Sequence, residues 1–222
     1  MDSPDSLISR VLYPVSEFPF DSIIKDHYSW KAPLSDLHLW SDEEFPLLHG
    51  QKLDQSSPVH KHFYHIFEQD SRFLETYRAF VRKVVLPLHG GDVVYQAKPT
   101  FRIHYPGNLA VGEWHKDSQY NHQREEQNWW MPFTPAFDTN TIWMESEEDK
   151  GDYKPYNVSV GEVLIFPGGV LHHGNKVNET GVSRVSMDFR VMPYEAYRAT
   201  DSQSASFGMT FKIGSYYERM TG

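Results

Sequence analysis

From residue 162 to residue 192 the chain reads EVLIFPGGVLHHGNKVNETGVSRVSMDFRVM. Val163–Phe166 is a short apolar run of strand composition, and Pro167-Gly168-Gly169 ends it with a turn. The run Val182–Met192 sorts by alternation. Arg184, Ser186, Asp188 and Arg190 fall on one face, and Val185, Met187, Phe189 and Val191 on the other. A strand so apolar on one side and so polar on the other lines a cavity. Between the two runs stands Leu171-His172-His173-Gly174-Asn175.

Working outward, the same short β-type runs recur at Val93–Ala97, Thr100–Tyr105, Leu109–Trp114, Asn128–Pro132 and Thr141–Glu145. Their spacing fits an all-β sandwich or barrel better than strands alternating with crossover helices. Ahead of them, Phe63, Ile66, Phe67, Phe73, Leu74, Tyr77, Phe80, Val81, Val84 and Val85 recur mostly at three- and four-residue steps. That pattern predicts one long helix over 58–86, capped by Ser57-Pro58 and stopped by Pro87. Between residues 8 and 56, Pro14, Pro19, Pro33 and Pro46 leave room only for brief strands or turns. The expected organisation is a single domain over 1–222. Residues 1–90 form a flanking region with the long helix, 91–193 the β core, and 194–222 a closing strand and tail, or a lid.

Composition excludes several chemistries. The 222 residues contain no cysteine, so thiolate zinc sites, iron–sulfur clusters, thiol nucleophiles and disulfides are ruled out. A formal net charge of -9 disfavours nucleic acid and anionic membranes as partners, because such a surface repels phosphate. No run reaches the roughly 18 apolar residues a membrane span needs, and Met1–Asp5 lacks the apolar core of a signal peptide. A soluble, cytoplasmic protein acting on a small molecule is expected.

Chemistry must then run on imidazole, carboxylate, guanidinium or a bound cofactor. In His115-Lys116-Asp117 the outer residues share one face if the segment is a strand, so an imidazole and a carboxylate can converge on one ion. With twelve His and thirty acids, one such tripeptide is expected by chance. Joined to a second imidazole from the 171–175 segment it becomes informative, since two His and one carboxylate with open positions suit non-haem Fe(II) and O₂ chemistry. His172 and His173 face opposite ways in an extended segment, so only one of them reaches the ion. Arg184 and Arg190 share a strand face, and either guanidinium fork can hold a carboxylate.

These residues together resemble the Fe(II)/2-oxoglutarate-dependent oxygenase superfamily, through its His-x-Asp … His-x10-Arg-x-Ser pattern, met here by His115, Asp117, His173, Arg184 and Ser186. Over Phe101 to Pro193 the chain looks like the branch of StrG-type proteins of streptomycin biosynthesis, notably across Asp138–Ser146, Gly151-Asp152, His173–Asn175 and Arg184–Arg190. The resemblance implies a double-stranded β-helix, or jelly roll. It selects His173 over His172, because the family His precedes Gly, and Arg184 over Arg190, because Arg184 has the following Ser. His115, Asp117 and His173 would ligate Fe(II), while Arg184 and Ser186 would hold the distal carboxylate of 2-oxoglutarate. With O₂ this gives succinate, CO₂ and oxidation of a substrate C–H bond. Related halogenases carry a small residue where Asp117 stands, so hydroxylation or desaturation is implied instead. Asn140 and Trp143, in the family-like segment, are added to the cosubstrate pocket.

For the substrate, Arg102 and His104 lie on one side of their strand, opposite Phe101, Ile103 and Tyr105, and either face the cavity or lie on an exposed surface. Arg102 or Arg190 would meet a substrate carboxylate, and Glu113, Asp138 or Glu145 an ammonium group. An amino acid or an amine-bearing natural-product intermediate is the expected class. Trp129, Trp130 and Trp143 fill the barrel or wall the pocket, and 118–127 is a loop or a substrate-contacting lid. His60, His62 and His65 are read as a solvated helix face, and Glu145–Asp152 as a solvated turn. The alternative reading is a cupin-type jelly roll holding zinc or nickel, for binding or for non-oxidative isomerase or hydrolase chemistry. Arg184 with Ser186 speaks against it, because a metal-only site has no use for a carboxylate clamp.

Overall fold

The computed structural model describes residues 7–43, 53–110, 113–205 and 207–222. Ten strands run in chain order: β1 Ser9–Leu12, β2 Val93–Gln96, β3 Thr100–His104, β4 Gln127–Pro132, β5 Ile142–Met144, β6 Lys154–Tyr156, β7 Glu162–Phe166, β8 His173–Gly174, β9 Arg184–Pro193 and β10 Tyr217–Met220. All pair antiparallel, in a large sheet ordered β1-β7-β4-β9-β2-β10 and a small one ordered β6-β5-β8. β9 is the spine of the large sheet. One edge pairs with β4 (Trp130 opposite Asp188), and the other with β2 and then β3 (His104 opposite Arg184). This is the jelly-roll architecture of the double-stranded β-helix.

Alternation along these strands decides what each face meets. Phe101, Ile103, Trp129, Met131, Val185, Met187 and Phe189 turn to a layer of helices and form the main core with Phe63, Phe73, Tyr77 and Phe80. Phe63 stacks on Phe101 with ring centroids 3.9 Å apart. The even-numbered residues Trp130, Leu164 and Phe166 turn the other way and pack with Ile142 and Met144 of the small sheet in a second core. Arg184, Ser186, Asp188 and Arg190 lie on that same inner face, buried between the sheets.

The helical layer departs from the sequence pattern. Instead of one helix over 58–86 there are α2 Pro58–Phe67 and α3 Arg72–Phe80, then a π turn over Val81–Val85 and α4 Leu86–His89. Ser57 caps α2 by accepting from the His60 N–H at 3.1 Å. The break falls where Asp70 accepts from the Arg72 N–H at 3.0 Å, a local bond that competes with helix continuation. Pro87 does not stop the helix but sits in the first turn of α4, where its missing donor costs nothing, and the chain leaves the helix at Gly90 with φ 66°. An α1 helix, Phe20–His27, lies in the segment read as strands and turns, with Pro19 immediately before it. Pro starts a helix there rather than preventing one.

Other expectations are also corrected. Leu109–Trp114 forms no strand among its described residues: Ala110 makes a lone bridge to Leu53, and 111–112 lie outside the described residues. His60 is buried beside Tyr64 and Phe101 rather than solvated, and burial pulls its pKa down to about 4. The polar run 118–127 is tied to the body of the protein. Glu126, buried, accepts from His122 at 2.8 Å and from the Tyr217 hydroxyl at 2.6 Å, and Gln123 accepts from the Arg198 N–H at 2.9 Å. β10 closes the large sheet against β2. No described helix is long and apolar enough to cross a membrane.

Candidate active site

His115 and His173 are brought together by the backbone. The two residues form an isolated antiparallel bridge, exchanging N–H···O bonds of 2.9 and 3.0 Å, which places their rings 4.7 Å apart. Asp117 arrives differently from the strand alternation that the sequence suggests. It opens a 3₁₀ turn, Asp117–Tyr120, and its N–H donates to the Gly168 carbonyl at 2.8 Å. One ligand atom from each of His115, Asp117 and His173 lies within 4.8 Å of the others. Asp117 Oδ1 is 3.4 Å from His115 Nε2 and 3.6 Å from His173 Nε2.

The protonation state suits a cation. His115 Nδ1 meets the Glu113 carbonyl at 2.8 Å, and His173 Nδ1 meets the Leu171 carbonyl at 2.8 Å. A carbonyl only accepts, so the proton of each neutral ring sits on Nδ1 and each Nε2 turns a lone pair inward. Burial raises the Asp117 carboxyl, but the Arg190 guanidinium beside it holds it well below the usual carboxylate range. Its contribution to stability is therefore present above the ordinary carboxyl pKa of about 3.9, and is lost only as pH falls through the lower folded value. With each Nδ1 on a carbonyl, the two inward Nε2 lone pairs and the carboxylate oxygen facing one point repel one another until a cation is placed there. The donor set fits a divalent transition metal with positions left open.

Arg184 supplies the second element. It is 3% exposed, its Nε donates to the Asn140 carbonyl at 3.1 Å, and its Nη1 donates to Ser186 Oγ at 2.8 Å. No carboxylate of the described residues lies within 4 Å of it. Burial lowers its pKa to about 10, which still leaves it charged at neutral pH. A buried cation with no carboxylate in contact among the described residues thus borders a cavity whose wall also includes His115 and His173. His104, opposite it in register, is neutral at neutral pH because burial first, then Arg184, lowers its pKa to about 4. His104 Nε2 donates to the Asn108 carbonyl at 2.7 Å, so this ring braces the strand end rather than facing the cavity.

The remaining predicted site residues divide. Arg102 and Arg190 line the cavity, but each already holds carboxylates. Arg102 reaches Asp54 at 3.4 Å and Asp188 at 3.3 Å, while Arg190 reaches Asp117 at 2.9 Å and also pairs with Asp188. Asn140 turns its amide to the Phe137 N–H and Thr180 Oγ1, and its contribution to Arg184 is its backbone carbonyl. Trp143 stands away from the cavity wall, its Nε1 on the Asp138 carbonyl at 2.9 Å and Lys176 Nζ 3.4 Å from its ring centroid. Glu113 is exposed, and only its carbonyl serves the site. His172 points the other way, taking the Tyr153 hydroxyl at 2.5 Å. Glu145 is buried rather than solvated and accepts from the His172 and Gly151 N–H groups. Trp130 walls the cavity and Trp129 fills the core.

Sequence patterning alone does not single out Asn128, whose Nδ2 donates to Asp117 Oδ2 at 2.9 Å. The alternation of β4 carries that signal, since Asn128 shares a face with Trp130. Asp54, 2% exposed and behind Arg102, carries no sequence signal. Gly168 matters through space: a Cβ there would sit 2.5 Å from Asn128 Nδ2. Gly168→Ala is expected to push that amide off Asp117, cost about 1–3 kcal/mol in denaturant unfolding, and weaken Co(II) binding about 10-fold in a competitive titration.

No family model matches the chain. The streptomycin biosynthesis protein StrG of Streptomyces griseus is 35% identical over 214 residues, 95% of this chain and 97% of that protein. Among solved structures, the non-heme alpha ketoglutarate dependent carbocyclase SnoK from nogalamycin biosynthesis superposes with a TM-score of 0.53 at 10% identity, covering 98% of this chain and 93% of that one. EctD from S. alaskensis in its apoform gives 0.50 at 13% identity, covering 91% and 82%. The chain belongs to the family of the streptomycin biosynthesis protein StrG, built on the jelly-roll fold of the Fe(II)/2-oxoglutarate-dependent oxygenases.

Proposed function

We propose that the protein is an Fe(II)- and 2-oxoglutarate-dependent dioxygenase that hydroxylates a C–H bond of a small polar metabolite, releasing succinate and CO₂. The observation that carries this reading is the pairing, on one cavity wall, of the His115–Asp117–His173 cluster with a buried arginine that has no carboxylate partner among the described residues. A zinc- or nickel-holding cupin would need the first and have no use for the second.

When bound, Fe(II), 2-oxoglutarate and O₂ supply the oxidising chemistry. His115 and His173 would hold the metal through Nε2 and Asp117 through Oδ1, and a three-ligand set of this kind would leave positions for cosubstrate. The guanidinium of Arg184 and the hydroxyl of Ser186 meet the distal carboxylate, and the Asn140 carbonyl fixes the plane of that guanidinium through Nε. Trp130, whose ring lies 5.5 Å from the Arg184 guanidinium carbon, covers this end of the cavity and limits water, which strengthens the ion pair, while Phe166 packs on the His173 ring at the metal end.

The substrate is read as a small natural-product intermediate, in keeping with the biosynthetic name of the relative. Glu113, Asp138 and Glu145, expected to meet an ammonium group, are not part of the cavity wall; Asp188 is, flanked by Arg102 and Arg190. Anaerobic Fe(II) plus 2-oxoglutarate is expected to give the weak visible band of a ferrous 2-oxoacid chelate. Succinate release is then expected to rise with one member of a metabolite library. Tight zinc retention with no 2-oxoglutarate binding would establish the cupin reading instead.

A further inference from the structure

Four buried charged side chains and the partly buried Arg102 form a continuous ladder that ends at the metal cluster. Asp54 meets Arg102, Arg102 meets Asp188, Asp188 meets Arg190, and Arg190 meets Asp117. Asp188 and Arg190 lie two apart on β9 and therefore share its inner face, and Asn128 of β4 stands opposite Arg190 in register. Three hydrogen bonds converge on a single Asp117 oxygen, Oδ2: Asn128 Nδ2 at 2.9 Å, Arg190 Nη2 at 2.9 Å and Arg190 Nε at 3.2 Å. Oδ1 takes none of them and faces the two imidazole Nε2 atoms.

We propose that Arg190, braced by Asp188, is a positioning residue that locks the Asp117 carboxylate so that Oδ1 alone is presented to the metal. The inference rests on the metal-binding reading of the cluster, and not on the identity of any substrate. A free carboxylate exchanges its two oxygens by rotation about Cβ–Cγ or takes a cation with both. Here the planar fork of Arg190 grips Oδ2 through two nitrogens and Asn128 grips it through a third, so rotation would break three bonds at once, while the remaining Arg190 nitrogen is held by Asp188. Arg102 holds the other Asp188 oxygen, and Asp54 holds Arg102, which keeps the brace from swinging into the cavity. Arg190 also opposes a cation by its own charge, so orientation and repulsion predict opposite effects of removing it.

The test is Co(II) titration of the full-length, metal-stripped protein, with affinity read by competition against a chelator and coordination read from the visible spectrum. Arg190→Gln is expected to weaken Co(II) binding about 10- to 100-fold, as loss of an outer partner of a metal ligand does, and to change the spectrum. Arg190→Lys, a charge without a fork, should recover only part of the affinity. Asp188→Asn, which leaves Arg190 in place but loosens its brace, should shift affinity the same way by less, and it serves if Arg190→Gln does not fold. Equal or tighter Co(II) binding by a folded Arg190→Gln with an unchanged spectrum overturns the positioning role while leaving the metal site standing. Failure of the unaltered protein to bind Co(II) overturns both.

Discussion

His173→Ala is expected to abolish 2-oxoglutarate turnover and to weaken divalent-metal binding by more than the roughly 100-fold that loss of an outer partner costs, whereas His172→Ala retains both. The two imidazoles are neighbours in the chain and opposites in space. His173 is 6% exposed, with its Nε2 directed at Asp117 and its Nδ1 proton held by the Leu171 carbonyl, so truncation deletes one of three ligands. His172 spends its Nδ1 on the Tyr153 hydroxyl at the surface, a bond worth about 1 kcal/mol. Succinate formation and Co(II) titration on the two variants, side by side, decide between them. Full activity in His173→Ala would move the ligand to His172.

Arg184→Leu carries a two-sided expectation. The guanidinium is buried, charged and without a carboxylate in contact among the described residues, so in the ligand-free fold its charge is offset only from a distance, by Asp54 and Asp188. Replacing it with an apolar side chain should raise the melting temperature of the ligand-free protein, by about 1 kcal/mol in stability, because active sites hold charge at the expense of the fold. The same change should raise the 2-oxoglutarate requirement steeply. Losing one partner of a buried charge pair costs about 2–5 kcal/mol, or about 30-fold to several thousand-fold in affinity. Thermal unfolding with and without 2-oxoglutarate separates the effects: the cosubstrate should stabilise the unaltered, metal-loaded protein and leave Arg184→Leu unmoved. If Arg190→Ala rather than Arg184→Leu shows that loss of response, the clamp has been assigned to the wrong arginine.

Much of the inner face of the large sheet is legible in the chain itself. A strand repeats every two residues, so Arg184, Ser186, Asp188 and Arg190 declare a common side, as do Arg102 and His104. Local patterning fares worse where a short-range bond competes with it. The apolar stripe skips from Phe67 to Phe73, and Asp70 interrupts the helix in that gap, while a proline that reads as a stop lies inside a helical turn. It fares worst with roles. Arg102 looks like a cation facing substrate and proves to be held by Asp54 and Asp188, whereas the pairing of Arg190 with Asp188, two positions apart on one face, is legible and its hold on Asp117 is not. Asn140 looks like a pocket amide and serves through its main-chain carbonyl.

By itself the sequence determined the alternating strand that faces the cavity, the exclusion of cysteine chemistry and the residue types able to hold a metal. Those follow from composition and from a period of two, both of which are local. Only the tertiary structure decided which charges are spoken for. Asp54 lies 48 residues from Arg102, and Asp117 lies 73 from Arg190. Pairing at that separation is a matter of which strands and turns come to lie together, and buried charges must find partners wherever the fold brings them. Arg184 stands out because, among the described residues, the fold brings it no carboxylate.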